Sequence, residues 1–127
     1  MNSMNILLVD DDLFLRDMYA SKFVEGGHKV DAVSNGEEGL SRIKDGDIDV
    51  VLLDMVMPGM TGLDFLKKAK EDKATENIKF VVLSNQGEES DQEAARKAGA
   101  AGYIIKAESI PSDVVKKVQA LVGESKK

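Results

Sequence analysis

Four stretches of the chain are almost purely aliphatic: Ile6 to Val9, Val50 to Leu53, Phe80 to Leu83, and Tyr103 to Ile105 behind two alanines and a glycine. Runs this short and this apolar suit parallel strands covered on both faces. A fifth stretch, His28 to Val33, alternates Val30 and Ala32 with Lys29 and Asp31, as expected where one face meets water, and belongs at a sheet edge.

Between these runs the apolar positions recur at helical spacing. Leu15, Met18, Tyr19 and Phe23 share one side of a first helix that Gly26-Gly27 stops in a left-handed turn. Ser34-Asn35-Gly36-Glu37 opens a short second helix as a capping box, Leu40 and Ile43 are its buried positions, and Gly46 ends it. Thr61 caps a third, with Asp64 in its first turn and Phe65, Leu66 and Ala69 turned to the sheet; its end is poorly marked. The fourth, about Glu88 to Ala98, has only Ala94, Ala95 and Ala98 for an apolar stripe, which predicts weak anchorage. Ser109 caps a fifth with Pro111 in its first turn, and Val114, Val115, Val118, Leu121 and Val122 give it the widest apolar face. Residues 123–127 read as a loose tail.

Strand and helix thus alternate five times. Short loops and right-handed crossovers make this an α/β chain with a doubly wound, five-stranded parallel sheet, flavodoxin-like, and the edge character of the second strand favours the order 2-1-3-4-5. A length of 127 residues and 43% hydrophobic content fit one domain with one core. The formal net charge of -6 disfavours direct nucleic-acid binding. The chain has no cysteine, which excludes disulfides and thiolate chemistry. Its first apolar run stops at an aspartate, too short for a signal peptide or membrane span, so a cytoplasmic protein without membrane insertion is expected. His28 reads as a surface strand residue and the methionines as core or loop filler.

The chemistry gathers at one rim. Four of the five strands run into a reactive polar residue: Asp10-Asp11-Asp12 after the first, Asp54 after the third, Ser84 after the fourth and Lys106 after the fifth. In an open parallel sheet, ligands bind beyond the carboxyl ends of the strands, where strand order reverses, and the first and third strands flank that point. Carboxylates crowded there repel, by about 4 kcal/mol for two charges about 4 Å apart at an effective dielectric near 20, so a cation is called for. Oxygen ligands without histidine or cysteine favour magnesium or manganese over zinc. Asp54 can act as a nucleophile towards phosphorus if a metal and a fixed cation, Lys106, offset the charge on the transferring group, and the Ser84 hydroxyl can bond a phosphoryl oxygen. Taken singly, each residue has a blander reading: an acid-rich stretch after a strand caps a helix, Asp54 is a loop acid, Ser84 satisfies a loop, Lys106 is a solvated strand-end charge, and Tyr103 is edge packing. Their apposition on adjacent strands is what changes the reading.

Ile6-Leu-Leu-Val-Asp-Asp-Asp12, Asp54-Met-Val-Met-Pro-Gly-Met-Thr-Gly62, Val81-Val-Leu-Ser84 and Gly102-Tyr-Ile-Ile-Lys106 together resemble the receiver domain of bacterial two-component response regulators, over the whole chain. The intervals of 30 residues from Asp54 to Ser84 and 52 from Asp54 to Lys106 agree with that family. The resemblance implies that Asp54 is the phospho-acceptor, charged by a histidine kinase or histidine phosphotransfer protein, and that the chain is a switch rather than an enzyme. It also implies metal ligation by Asp11, Asp54 and the Val56 carbonyl, with Asp10 acting through water and Asp12 peripheral. Ser84 and Tyr103 become a coupled switch that remodels a face of helix four, strand five and helix five, where a downstream protein binds.

Two positions depart from the family pattern. Ala107 stands where a proline preceded by a cis bond is common; without proline a cis bond costs about 2.5 to 4 kcal/mol, so a trans bond and an altered loop beside Lys106 are expected. Asn85 stands where many members carry a smaller residue, which is expected to reduce access of water or of a phosphatase to the acyl phosphate. The alternatives are a receiver cut from a longer DNA-binding or enzymatic regulator and, from another class, a magnesium-dependent phosphatase with an aspartyl-phosphate intermediate. That enzyme usually needs a second acid two residues after the nucleophile, where this chain has Val56.

Overall fold

The computed structural model describes residues 3–125 and, for Ala74 and 123–125, the backbone alone. Strands β1 (Asn5–Val9), β2 (Lys29–Val33), β3 (Val50–Leu53), β4 (Lys79–Ser84) and β5 (Gly102–Ile105) alternate with helices α1 (Leu13–Glu25), α2 (Gly36–Lys44), α3 (Gly62–Lys70), α4 (Glu89–Lys97) and α5 (Pro111–Ser125). All strand pairs are parallel, in the order β2-β1-β3-β4-β5. The flavodoxin-like architecture expected from the aliphatic runs is the one observed.

Side chains leave alternate faces of each strand, and this divides the core in two. Leu7, Val9, Val51, Leu53, Phe80 and Val82 pack with Ile43 of α2, Phe65, Leu66 and Ala69 of α3, and Ala95 of α4. Ile6, Leu8, Val50, Leu52, Val81, Leu83 and Ile104 pack with Tyr19 and Phe23 of α1 and Val114, Val115, Val118 and Val122 of α5. β3 is buried along its whole length, whereas edge strand β2 has no fully buried residue, and Ala32 is exposed together with Lys29 and Asp31. Ala95 alone is fully buried on α4, which matches its poor stripe.

The helix starts correct two expectations. Asn35, not Ser34, caps α2: its side chain accepts from the Glu38 amide, and Glu38 Oε1 accepts from the Ser34 amide, so the box is shifted one residue. Ser109 does not cap α5. The amides of Asp113 and Val114 donate to the Ile110 carbonyl, and the Ser109 hydroxyl accepts from the Lys117 ammonium at 2.6 Å. Thr61 caps α3 as expected. The unmarked end of α3 is secured by Thr75, a buried residue of the following 3-10 turn (Lys73–Thr75), whose hydroxyl donates to the carbonyls of Ala69 and Asp72. Gly27 takes the left-handed turn after α1, with φ +92°.

His28 is a third correction. It precedes β2 and is buried rather than at the surface, between the head of β1 and α5. The α5 backbone runs through residue 125, so of the tail expected at 123–127 the last two residues lie outside the described residues. Met4, Met55 and Met57 are buried.

Candidate functional site

Register sets the height of each site residue. Val9 pairs with Leu53, so Asp10 and Asp54 emerge side by side from β1 and β3, and Ser84 pairs with Ile105, so Lys106 lies one residue beyond. Alternation sets the direction. Leu8, Leu52 and Ile104 face the α1/α5 layer, and Asp10, Asp54 and Lys106 each follow two residues later on the same side. Ser84, two residues after Val82, leaves toward the α2/α3/α4 layer. Asp54 is thereby met from both sides.

The distances express this arrangement. The Lys106 ammonium donates to Asp10 Oδ2 at 2.8 Å and to Asp54 Oδ2 at 2.9 Å. The Ser84 hydroxyl donates to the other Asp54 oxygen, Oδ1, at 2.9 Å, and the Val56 amide donates to that same oxygen at 3.1 Å. Asp10 Oδ1 accepts from the Asp12 amide at 2.9 Å. Side-chain exposure is 2% for Asp10, 6% for Lys106 and 14% for Asp54, so the cluster is nearly closed to solvent and opens through Asp54. Burial by itself disfavours the Lys106 ammonium, but the hydrogen bonds and charges of Asp10 and Asp54 outweigh it, and the lysine titrates above its ordinary range.

The three acids after β1 divide their tasks. Asp10 is buried in the ion pair, Asp11 is exposed, and Asp12 caps α1 by accepting from the Leu15 amide. The helix-cap reading of this stretch therefore holds for Asp12. Among the described residues no three acidic or histidine side chains already stand as a metal cage, and Asp11 is not drawn into the Asp10–Lys106–Asp54 cluster by any hydrogen bond. The β3–α3 loop is held close over the site. The Gly62 amide donates to the Met55 carbonyl at 2.9 Å, and a Cβ at Gly62 would stand 2.2 Å from the Asp54 carbonyl oxygen. No cis peptide occurs among the described residues, so the Lys106–Ala107 bond is trans, and a 3-10 turn over Lys106–Glu108 carries the chain onward.

Tyr103 is half-buried against the α2/α3/α4 layer, and its hydroxyl donates to the Gln86 carbonyl in the β4–α4 loop. The Gln86 amide in turn donates to the Ser84 hydroxyl at 3.2 Å. Burial and the charge of Asp91 raise the Tyr103 phenol above its ordinary value, and its interaction with Ser84 partly opposes them. Two features escaped the sequence reading. Tyr19, read only as an apolar position of the first helix, brings its buried phenol close enough to Lys106 and Asp10 to feel both charges; burial raises it, Lys106 lowers it and Asp10 raises it. Four large apolar side chains stand exposed near the rim: Leu13 and Phe14 just after the acids, Val56 after Asp54, and Ile110 beyond Lys106. The break in helical periodicity at Leu13-Phe14 was the available signal.

Comparison with known proteins places this geometry. The family model described as the response regulator receiver domain matches residues 6–119. Transcriptional regulatory protein ResD of Bacillus subtilis is 32% identical over 121 residues, covering 95% of this chain and 49% of its own length. Response regulator SaeR of Staphylococcus aureus is 32% identical over 123 residues, covering 97% and 52%. The chain spans about half the length of these curated relatives. A CheY-like response regulator receiver domain protein from Methanospirillum hungatei superposes with a TM-score of 0.88 at 26% identity, covering 98% of each chain. Among the described residues no helix is long and apolar enough to cross a membrane. From the family match and the sheet order together, the chain belongs to the response regulator receiver domains, the signalling switches of two-component systems.

Proposed function

We propose that residues 1–127 work as one cytoplasmic receiver module that accepts a phosphoryl group on Asp54 from a histidine kinase or histidine phosphotransfer protein and alters its binding surface in response. The observation that carries the reading is the position of Asp54, with one oxygen on the Lys106 ammonium and the other on the Ser84 hydroxyl, at the open end of an otherwise buried cluster. An Asp54 carboxylate oxygen attacks phosphorus; the P–N bond of the donor breaks, its electron pair returns to the imidazole, and an acyl phosphate remains. Once Asp54 is an acyl phosphate, its claim on Lys106 weakens and the ammonium can pair with a phosphoryl oxygen, while the Ser84 hydroxyl turns to another. Small phosphodonors can replace the protein donor, and hydrolysis returns the aspartate.

The donor chemistry suits a hard divalent cation. Asp10, Asp11 and Asp54 set three carboxylates against the one ammonium of Lys106, without histidine or cysteine among them. Asp11, Asp54 and the Val56 carbonyl would hold Mg2+, or Mn2+, with Asp10 acting through water; when bound, the ion offsets charge on the transferring group. The response runs through Ser84 and Tyr103. Withdrawal of the Ser84 hydroxyl from Asp54 disturbs Gln86, which both residues touch, and so the start of the weakly anchored α4. The α4–β5–α5 face is the surface offered to a downstream protein, and no direct contact with nucleic acid is assigned to this module.

Acetyl phosphate or phosphoramidate with magnesium is expected to add one phosphoryl group by intact mass, and Asp54→Asn to abolish the gain. An unchanged gain in the variant would refute Asp54 as acceptor. A second reading has its own support: relatives twice as long, one of them named a transcriptional regulatory protein, make this chain the receiver portion of a larger regulator. The native open reading frame decides between them.

A further inference from the structure

His28 is the chain's one histidine, and it lies on the opposite side of the molecule's logic from the phosphate chemistry. It is 6% exposed, at the corner where β1, α1, β2 and α5 meet. Its Nδ1 accepts from the Met4 amide at 3.1 Å, just before β1. A main-chain N–H can only donate, so Nδ1 must carry its lone pair, and the proton of the neutral ring must sit on Nε2. His28 Nε2 stands 2.9 Å from the side-chain nitrogen of Gln119 on α5. Two donors cannot bond each other, so with the proton on Nε2 the Gln119 amide is flipped to present its oxygen to the ring. The ring also meets Phe23 edge-on, with centroids 6.2 Å apart, and a Cβ added at Gly26 would stand 3.5 Å from both the ring and Val115 of α5.

We infer that His28 is a pH-sensitive clasp: as a neutral imidazole it ties the head of β1 to α5, and its protonation under mildly acidic conditions breaks that tie and loosens α5. A proton on Nδ1 would face the Met4 N–H, donor against donor, and would put a positive charge in a buried corner. Among the described residues no charged group adds to the effect of burial on the ring. Lys22 and Glu25 of α1 pair with each other at 3.7 Å, Lys29 of β2 and Lys116 of α5 are exposed cations, and Met4, Phe23, Val115 and Gln119 carry no charge. Burial accordingly holds the ring below its ordinary range. The unfolded chain then binds the proton first, so stability is full above about pH 6.5 and is lost as pH falls toward the folded value. The clasp acts on α5 whichever residue accepts the phosphoryl group, and would make this face sensitive to acidity as well as to phosphorylation.

A single histidine gives a single ring Cε1–H signal, so its NMR titration needs no assignment by mutation. The expected midpoint lies below about 6.5, with nitrogen shifts of the Nε2–H tautomer. A midpoint at or above that value, or the Nδ1–H tautomer, would overturn the inference. Amide exchange at about pH 7.5 and about pH 5.5, corrected for chemical rates, is expected to show at least about threefold loss of protection in α5 relative to β3 in the wild type. His28→Asn offers Met4 a carbonyl that does not titrate, and its α5 protection is expected to be independent of pH over that range. Equal pH responses in the two proteins, or none in the wild type, would sink the clasp; should the variant fail to fold, the titration and the wild-type exchange still decide.

Discussion

Replacing Lys106 by methionine keeps an unbranched side chain of similar length in a buried site and removes its charge together with its hydrogen-bond donors. The ammonium satisfies two carboxylates at once, Asp10 at 2.8 Å and Asp54 at 2.9 Å, and neither the lysine nor Asp10 is more than a few per cent exposed. Surface-pair values therefore do not apply. Breaking a buried pair by deleting one partner costs roughly 3 to 5 kcal/mol, because the remaining charge is left uncompensated. Asp54 keeps its bonds from Ser84 and Val56, and Asp10 keeps one from the Asp12 amide, which places Lys106→Met near the lower end. About 3 kcal/mol is roughly two powers of ten in the folding equilibrium, and with a urea m-value of 1–3 kcal/mol/M it lowers the midpoint by about 1–3 M. Asp10→Asn removes part of the carboxylate crowding, so in the double variant the loss is expected to be partly recovered, with a coupling of at least about 1 kcal/mol. If the single variant unfolds at the wild-type midpoint with the same slope, or if the two changes add without coupling, the buried ion pair does not hold this rim together. The wild type adds a pH test: a lysine raised in the folded state contributes stability below about pH 10.4 that is lost as pH climbs through its folded value, and the methionine variant is expected to lack that alkaline loss.

Three further outcomes follow from the packing. Gly62→Ala sets a methyl group 2.2 Å from the Asp54 carbonyl oxygen and is expected to cost more than about 2 kcal/mol in urea melts; a neutral result would mean the β3–α3 loop can retreat from the site. Thr61→Ala is expected to cost about 1 kcal/mol and Ser109→Ala under about 0.5, since only the first is a helix cap; equal losses would contradict the observed start of α5. Ultraviolet titration of the two tyrosines is expected to show native Tyr19 and Tyr103 ionising above the ordinary value near 10. Because the fold favours the protonated phenols, stability falls with rising pH above that point, and ordinary titration of either ring would show that it is not buried as described.

The backbone plan was legible because burial on both faces leaves a plain mark. β3 and the middle of β4 are aliphatic at every position, since each touches a helix layer whichever way it points. α3 and α5 carried apolar stripes wide enough to dock them. Caps were harder to read. Ser34 and Asn35 can both open a helix, and so can Ser109 and Ile110's carbonyl; which one does so depends on where the preceding strand or turn releases the chain, which local preference does not encode.

The order of residues by itself settled that acids, a hydroxyl and a lysine would end β1, β3, β4 and β5, because strand length and the two-residue alternation carry those positions to one rim. Only tertiary structure decided their pairing. Lys106 reaches Asp10 across 96 residues of chain and Asp54 across 52, so that Asp10 is buried in an ion pair, Asp11 stays exposed and Asp12 caps a helix. The same reason hid His28 and Tyr19. His28 meets Gln119, 91 residues away in the chain, and Tyr19 lies on an ordinary apolar stripe until β1 and β5 bring the charges of Asp10 and Lys106 within range of its phenol. Periodicity reports which face of an element is covered; what covers it depends on contacts between segments that no local pattern contains.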